Sequence, residues 1–207
     1  MQVFGTSEGL LFMTRTDDPD EIVSRYQGKP MSPAVEVLIV DEEDREVPPG
    51  EYGEVICRGP YTIDHYFGAP EANRSSFRED GFYRTGDRAV RNEEGYFRFG
   101  GRLKERINRA GEKIEPAEIE SYLCMDPSVL EAVVVGIPDE DLGERSCAFV
   151  KCLDGVSRNL QDIYRQFQEM GVALYKFPDQ LEQVEFWPLT KIGKIDRKQL
   201  VKMMISE

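Results

Sequence analysis

Residues 129–137, Val-Leu-Glu-Ala-Val-Val-Val-Gly-Ile, form a nearly continuous apolar run. The run is far too short to cross a bilayer, which takes about 20 residues. A short apolar run without polar alternation is expected of a strand buried on both faces. Other elements must then cover it from two sides, and the surrounding sequence supplies candidates. Pro116 to Leu123 reads as a helix, with Pro at its start and acidic residues in its first turn. Leu160, Ile163, Tyr164 and Phe167 fall on one helical face. A last helix is expected after Asp196, with Leu200, Met203 and Met204 as its apolar stripe. Cys147 to Val150 is a further strand. Helices alternating with strands suggest a small α+β or α/β domain.

The first half has another character. Val35 to Val40 and Glu54 to Cys57 read as strands around a Pro48-Pro49-Gly50 turn. Residues 69–77 have a helical composition. Asp87 to Val90 and Tyr96 to Phe99 are expected to form a hairpin joined at Asn92-Glu93-Glu94-Gly95. The change in character falls near Gly100-Gly101, read either as a hinge or as a tight β-turn.

Composition excludes several classes of function. The net charge is −13, from 26 basic and 39 acidic residues. A general nucleic-acid or anionic-membrane binder needs a basic face instead. No apolar run approaches a membrane span, and Met1-Gln2-Val3-Phe4-Gly5 lacks the regions of a signal peptide. Cys57, Cys124, Cys147 and Cys152 lack metal-ligand spacing and are read as reduced core thiols of a cytoplasmic protein. The only histidine, His65, argues against a zinc site or a Ser–His–Asp triad, and is expected to be structural.

Four segments carry candidate chemistry. Val3-Phe4-Gly5-Thr6-Ser7-Glu8-Gly9 brackets small hydroxyl residues and a carboxylate between glycines. Such a loop can approach a nucleotide, and Glu8 can hold a magnesium ion, which prefers oxygen ligands. Asp87 follows Gly86 at the start of a strand, where it can accept from two ribose hydroxyls or simply form an Asx turn. Gly101 to Glu120 is a dense run of charged and small residues. Pro188-Leu189-Thr190-Lys191-Ile192-Gly193-Lys194 ends in a lysine suited to a phosphate or carboxylate. Asp196 and Gln199 have the spacing of a capping box just after it.

In this order and spacing, the four segments resemble the adenylate-forming superfamily of acyl-CoA synthetases, luciferases and nonribosomal adenylation domains. Gln2-Val3-Phe4-Gly5 with Glu8-Gly9-Leu10, Arg58 to Ile63, Asp80 to Asp87 and Leu142 to Cys147 are similar to stand-alone aryl acid–AMP ligases, the 2,3-dihydroxybenzoate–AMP ligases among them. The resemblance implies an α+β fold. Residues 1–103 would be the β-rich, barrel-like end of a large adenylation domain, and 104–207 a small mobile lid with its hinge at Lys104. It implies an activity that joins 2,3-dihydroxybenzoate or salicylate to AMP, using ATP and Mg2+. The aryl group then passes to the phosphopantetheine thiol of an aryl carrier protein in siderophore biosynthesis.

By the same resemblance, Lys194 bridges the acid's carboxylate and the α-phosphate. Asp87 binds the ribose, and Arg102 the ribose or phosphate region. Glu8 holds the magnesium. Gly5, Thr6 and Ser7 line the AMP and aryl pockets with Val3 against the ring, the partner of the Ser7 hydroxyl being left open. The basic stretch Lys191 to Lys202 is a candidate for steering the carrier protein, or serves ATP alone. The family's Gly/Ser/Thr-rich phosphate loop has no counterpart here. The chain is therefore expected to be the C-terminal two-fifths of the enzyme, needing its missing N-terminal part and inactive alone. The competing expectations are an acyl-CoA synthetase, an amino-acid adenylation domain, or a non-catalytic nucleotide-binding protein.

Overall fold

A computed structural model describes residues 1–205 of the chain. They divide into two units, Met1–Lys104 and a second that begins at Glu105.

The first unit is built from β1 (Val3–Gly5), β2 (Leu11–Met13), α1 (Asp20–Arg25), β3 (Lys29–Pro30), β4 (Glu36–Val40), β5 (Tyr52–Arg58), α2 (Pro70–Ser76), β6 (Tyr83–Arg91) and β7 (Phe97–Arg102). Its strands form two open antiparallel sheets, β1-β2-β3 and β4-β5-β6-β7. They share one core: Leu10 and Phe12 pack with Ile39, Val55, Cys57, Tyr83, Ala89 and Phe97. Phe4 stacks on Phe99 with ring centroids 3.6 Å apart. The β6–β7 hairpin turns at Asn92 to Gly95 as expected, with Gly95 N–H donating to Asn92 O at 3.0 Å. Gly100 and Gly101 form neither a hinge loop nor a turn. Both lie within β7, where Arg88 pairs with Gly101 and Ala89 with Phe99. Gly100 is thus the extra residue of a β-bulge, and Gly101 takes the left-handed φ of +107°.

The second unit contains β8 (Ile107–Arg109), β9 (Glu112–Ile114), α3 (Pro116–Leu123), β10 (Val129–Asp139), β11 (Gly143–Cys152), α4 (Leu160–Glu169), β12 (Gln180–Gln183) and α5 (Arg197–Ile205). The apolar run at 129–137 is a strand covered on both faces. Ala132 and Val134 pack with Ile119 and Leu123 of α3 and with Ile163 and Phe167 of α4. Val133, Val135 and Ile137 pack on the other side with Leu200 of α5. Its sheet runs β10-β11-β8-β9 with antiparallel pairs, and only β12 joins β11 in parallel. That selects α+β over α/β, because parallel βαβ units are what define the latter.

Three local expectations are corrected. Leu200 and Met204 pack inward as expected, but Met203 is 44% exposed and Val201 takes its place in the stripe. The capping box at α5 is half formed. Asp196 Oδ1 accepts from Gln199 N–H at 3.1 Å, but the Asp196 N–H is taken by Pro188 O at 2.7 Å. Cys124 is exposed at the end of α3, whereas Cys57, Cys147 and Cys152 are buried free thiols. His65 is also exposed and bonds only its neighbour, Nδ1 to Asp64 Oδ1 at 2.6 Å. Among the described residues no helix is long and apolar enough to cross a membrane.

Candidate functional site

The glycine-bracketed segment is the turn of the β1–β2 hairpin. Thr6 N–H donates to Leu10 O at 2.9 Å and Gly9 N–H to Thr6 O at 3.2 Å. Strand alternation turns Phe4 into the core and leaves Val3 57% exposed on the other face. Gly5 and Ser7 are exposed, and Thr6 is half-buried. Gly9 is needed for a contact within the protein. A Cβ there would sit 1.7 Å from Tyr61 O, which packs the turn against residues 59–63 with Ile63 N–H on Glu8 O at 3.0 Å.

This packing fixes Glu8. Its Oε1 accepts from the Tyr66 hydroxyl at 3.0 Å, and Oε2 from Ser7 Oγ at 3.4 Å. The Tyr66 hydroxyl lies 3.0 Å from that of Tyr83 on β6. Burial raises the Tyr66 phenol, and Glu8 and Arg102 act on it with opposite signs. Tyr83 is driven strongly upward, first by burial and then by Tyr66 and Glu8. Tyr83 falls within the Asp80 to Asp87 segment that carries the family resemblance, but no pattern pointed to Tyr66, which lies 58 positions from Glu8 and belongs to no periodic segment.

Four residues beyond Tyr83, Asp87 is almost fully buried, 4% exposed. Thr85 Oγ1 accepts from its N–H at 3.0 Å, and Arg102 Nε is 3.1 Å from Oδ1. The structure therefore ties Glu8 to Tyr66 and Asp87 to Arg102, whose charge acts on the same tyrosine, with Gly5, Thr6 and Ser7 on the turn that carries Glu8. The arrangement offers a buried anion on the inner strand β6, a half-exposed guanidinium and one half-buried carboxylate. Among the described residues no three metal-ligating side chains converge. Magnesium is commonly held by one or two carboxylates together with substrate phosphates. Glu8 fits that donor set as a single protein ligand beside a nucleotide.

Lys104 lies in a single 3-10 turn, Leu103–Glu105, at the boundary between the units. The dense run after it folds as the β8–β9 hairpin, with Ile107 and Ile114 in the core. Its two-residue turn is Ala110-Gly111, with φ of 50° and 90°. Ala110 N–H donates to Leu142 O at 2.7 Å. Arg109 forks onto Asp179, Nη2 to Oδ1 at 2.6 Å and Nε to Oδ2 at 2.9 Å. Burial pushes the Asp179 carboxyl up, but the Arg109 fork and the Ser146 N–H and hydroxyl outweigh it and hold it below its ordinary value.

Lys194 is exposed at the end of a tight turn in the second unit. Thr190 N–H donates to Lys194 O at 2.7 Å and Gly193 N–H to Thr190 O at 2.9 Å, while Leu189 bridges Ile195. Gly193 has φ of +80° with open space where a Cβ would be. It is required by its conformation rather than by a close approach. Of the basic residues from Lys191 to Lys202, Lys191, Lys194, Lys198 and Lys202 are exposed. Arg197 is turned inward onto Glu120 and Val134 O.

Residues 1–67 match the family model described as AMP-binding enzyme, and residues 118–194 that of the AMP-binding enzyme C-terminal domain. All of the chain aligns at 48% identity with 38% of the 2,3-dihydroxybenzoate-AMP ligase of Bacillus subtilis. It aligns at 49% identity, again over its full length, with 38% of pyochelin synthase PchD of Pseudomonas aeruginosa. The ATP-bound crystal structure of MatB from Rhodopseudomonas palustris superposes on 97% of the chain, with a TM-score of 0.88 and 29% identity, and the match covers 40% of that structure. The chain thus spans about two-fifths of the length of these relatives.

Proposed function

Because the chain belongs to the AMP-binding enzymes, we propose that it is the C-terminal portion of an ATP-dependent aryl acid–AMP ligase. The whole enzyme adenylates 2,3-dihydroxybenzoate or salicylate and passes the aryl group to a carrier-protein phosphopantetheine thiol in siderophore biosynthesis. One observation carries this: Glu8 is held by Tyr66 and Asp87 is paired with Arg102, whose charge acts on that tyrosine, in a chain 48% identical throughout to a 2,3-dihydroxybenzoate-AMP ligase.

In this reaction the acid's carboxylate attacks the α-phosphate of ATP and pyrophosphate leaves. Such a transfer needs charge neutralisation and positioning more than proton transfer. Lys194 neutralises the carboxylate and α-phosphate as they meet. Asp87 accepts from the ribose hydroxyls, and Arg102 places a guanidinium beside the ribose or phosphate. Bound magnesium supplies charge stabilisation at the phosphates, with Glu8 as its protein ligand. Gly5, Thr6 and Ser7 line the AMP and aryl sites, and the exposed Val3 meets the aryl ring. Residues upstream, in the missing part of the enzyme, supply the phosphate loop. Lys104 is the hinge about which the lid exchanges the Lys194 turn for the Arg109–Lys113 segment between half-reactions. Lys191, Lys194, Lys198 and Lys202 present positive charge in an acidic chain and steer an acidic carrier protein. The compartment is cytoplasmic.

Pyrophosphate exchange by the full-length enzyme tests the substrate class, over salicylate, 2,3-dihydroxybenzoate, benzoate and amino acids. Exchange with aryl acids is expected, and exchange with amino acids alone would refute the assignment. The 207-residue chain by itself is expected to give no exchange.

A further inference from the structure

Strand β10 ends its sheet, pairing with β11 on one side only among the described residues. An unpaired edge of this length normally needs cover, because its free N–H and C=O groups template further strands. Here two side chains provide it at the centre of the strand. Val134 N–H donates to Glu120 Oε1 at 2.8 Å, and Val134 O accepts from Arg197 Nη1 at 2.7 Å. Arg197 Nη2 closes the set on the same Glu120 Oε1 at 2.8 Å. The third guanidinium nitrogen, Nε, is 3.5 Å from Glu105 Oε2. Glu105 is the first residue after Lys104.

Arg197 is also the first residue of α5, directly after the hairpin that carries Lys194. That hairpin closes through Asp196 N–H on Pro188 O and Thr190 N–H on Lys194 O, both at 2.7 Å. Ile195 packs beside Leu200 on the far face of β10. The Arg197 fork therefore fixes the base of the turn, one strand edge and the start of the unit to one another. A lysine also has three donors, but they radiate from one atom and lack the planar fork whose separate nitrogens reach Val134 O, Glu120 and Glu105.

We propose that Arg197 is a positioning residue for Lys194, clamping the root of its turn to the edge of β10 through Val134 and Glu120. The proposal rests on the role given to Lys194 above, and its test separates the two. In the full-length enzyme, Arg197→Lys and Arg197→Ala are compared with Lys194→Ala in three measurements: pyrophosphate exchange, aryl transfer from preformed adenylate, and amide hydrogen exchange. Arg197→Lys is expected to lower kcat for adenylation about tenfold or more, since positioning is lost. KM for ATP should stay within about threefold, and aryl transfer should be unchanged. The amides of Thr190, Gly193 and Lys194 should exchange at least about tenfold faster, with those of β11 unchanged.

If Arg197→Ala does not fold, Arg197→Lys decides. Wild-type adenylation and wild-type turn protection in Arg197→Lys would overturn the proposal. So would uniformly faster exchange across the second unit, which marks Arg197 as a general stabiliser. A normal Lys194→Ala enzyme, with the turn still loosened by Arg197→Lys, would refute the catalytic role of Lys194 and leave the clamp standing.

Discussion

Asp87 and Arg102 are register partners across the antiparallel β6–β7 pair, with Arg102 Nε 3.1 Å from Asp87 Oδ1. The aspartate side chain is only 6% exposed, whereas the arginine side chain is 46% exposed. The two proposed nucleotide contacts are thus one unit, an inner anion with an outer cation beside it. Asp87→Asn keeps the volume but removes the charge. It is expected to raise KM for ATP about tenfold, equivalent to about 1.4 kcal/mol, with kcat within about threefold. Steady-state pyrophosphate exchange by the full-length enzyme measures both, and an unchanged KM would remove Asp87 from the nucleotide site.

Lys104 stands at the boundary between the two units. Lys104→Pro fixes φ there. It should spare adenylation or aryl transfer but not both, when the half-reactions are assayed separately. Equal loss in both counts against a hinge.

Ala110 takes a φ of 50° in the β8–β9 turn, where a Cβ is strained by roughly 1 kcal/mol. Ala110→Gly should relieve that strain and raise the urea midpoint, by up to about 1 kcal/mol in stability. A lower midpoint would mean that the gain in unfolded-chain entropy wins.

The Arg109–Asp179 pair should make the second unit sensitive to acid. The folded-state carboxyl of Asp179 lies below its ordinary 3.8. Its contribution is therefore complete above the unfolded value and is lost as pH falls through the folded one. Asp179→Asn should cost about 2–3 kcal/mol, since it leaves a largely buried guanidinium without its anion. Urea titrations at neutral and acid pH should show the gap between variant and parent closing in acid.

The buried thiols should make the chain sensitive to base. Burial pushes Cys57 from its ordinary 9.0 to about 11 and Cys147 to about 12. Stability from keeping them neutral is full below pH 9 and is lost as pH rises through those values. The urea midpoint should fall across this window, and fall less in Cys147→Ala. In the native chain a thiol reagent should modify the exposed Cys124 first.

Periodicity and end signals were enough to locate several elements. The helix expected over Pro116 to Leu123 is α3, because proline at the start and an apolar i,i+4 pair are local instructions. The apolar run is β10 because only a strand covered on both faces can hold it. The Asp196 cap was half legible: Gln199 N–H finds it, but Pro188, eight residues back, takes the N–H that the local pattern had reserved. Met203 failed as a core residue because helical spacing gives a stripe, not which margin of the stripe meets the sheet.

Features that depend on a few neighbouring residues can be read along the chain: the strand buried on both sides, the turn at Gly95, and the four segments that mark the family. Pairings between side chains far apart in the chain arise only on packing. Glu8 meets Tyr66, Arg109 meets Asp179, and Arg197 reaches Glu120 and Val134. The physical reason is that buried charges and edge amides must find partners. Which partner is within reach depends on how strands and helices pack, and no local spacing encodes that.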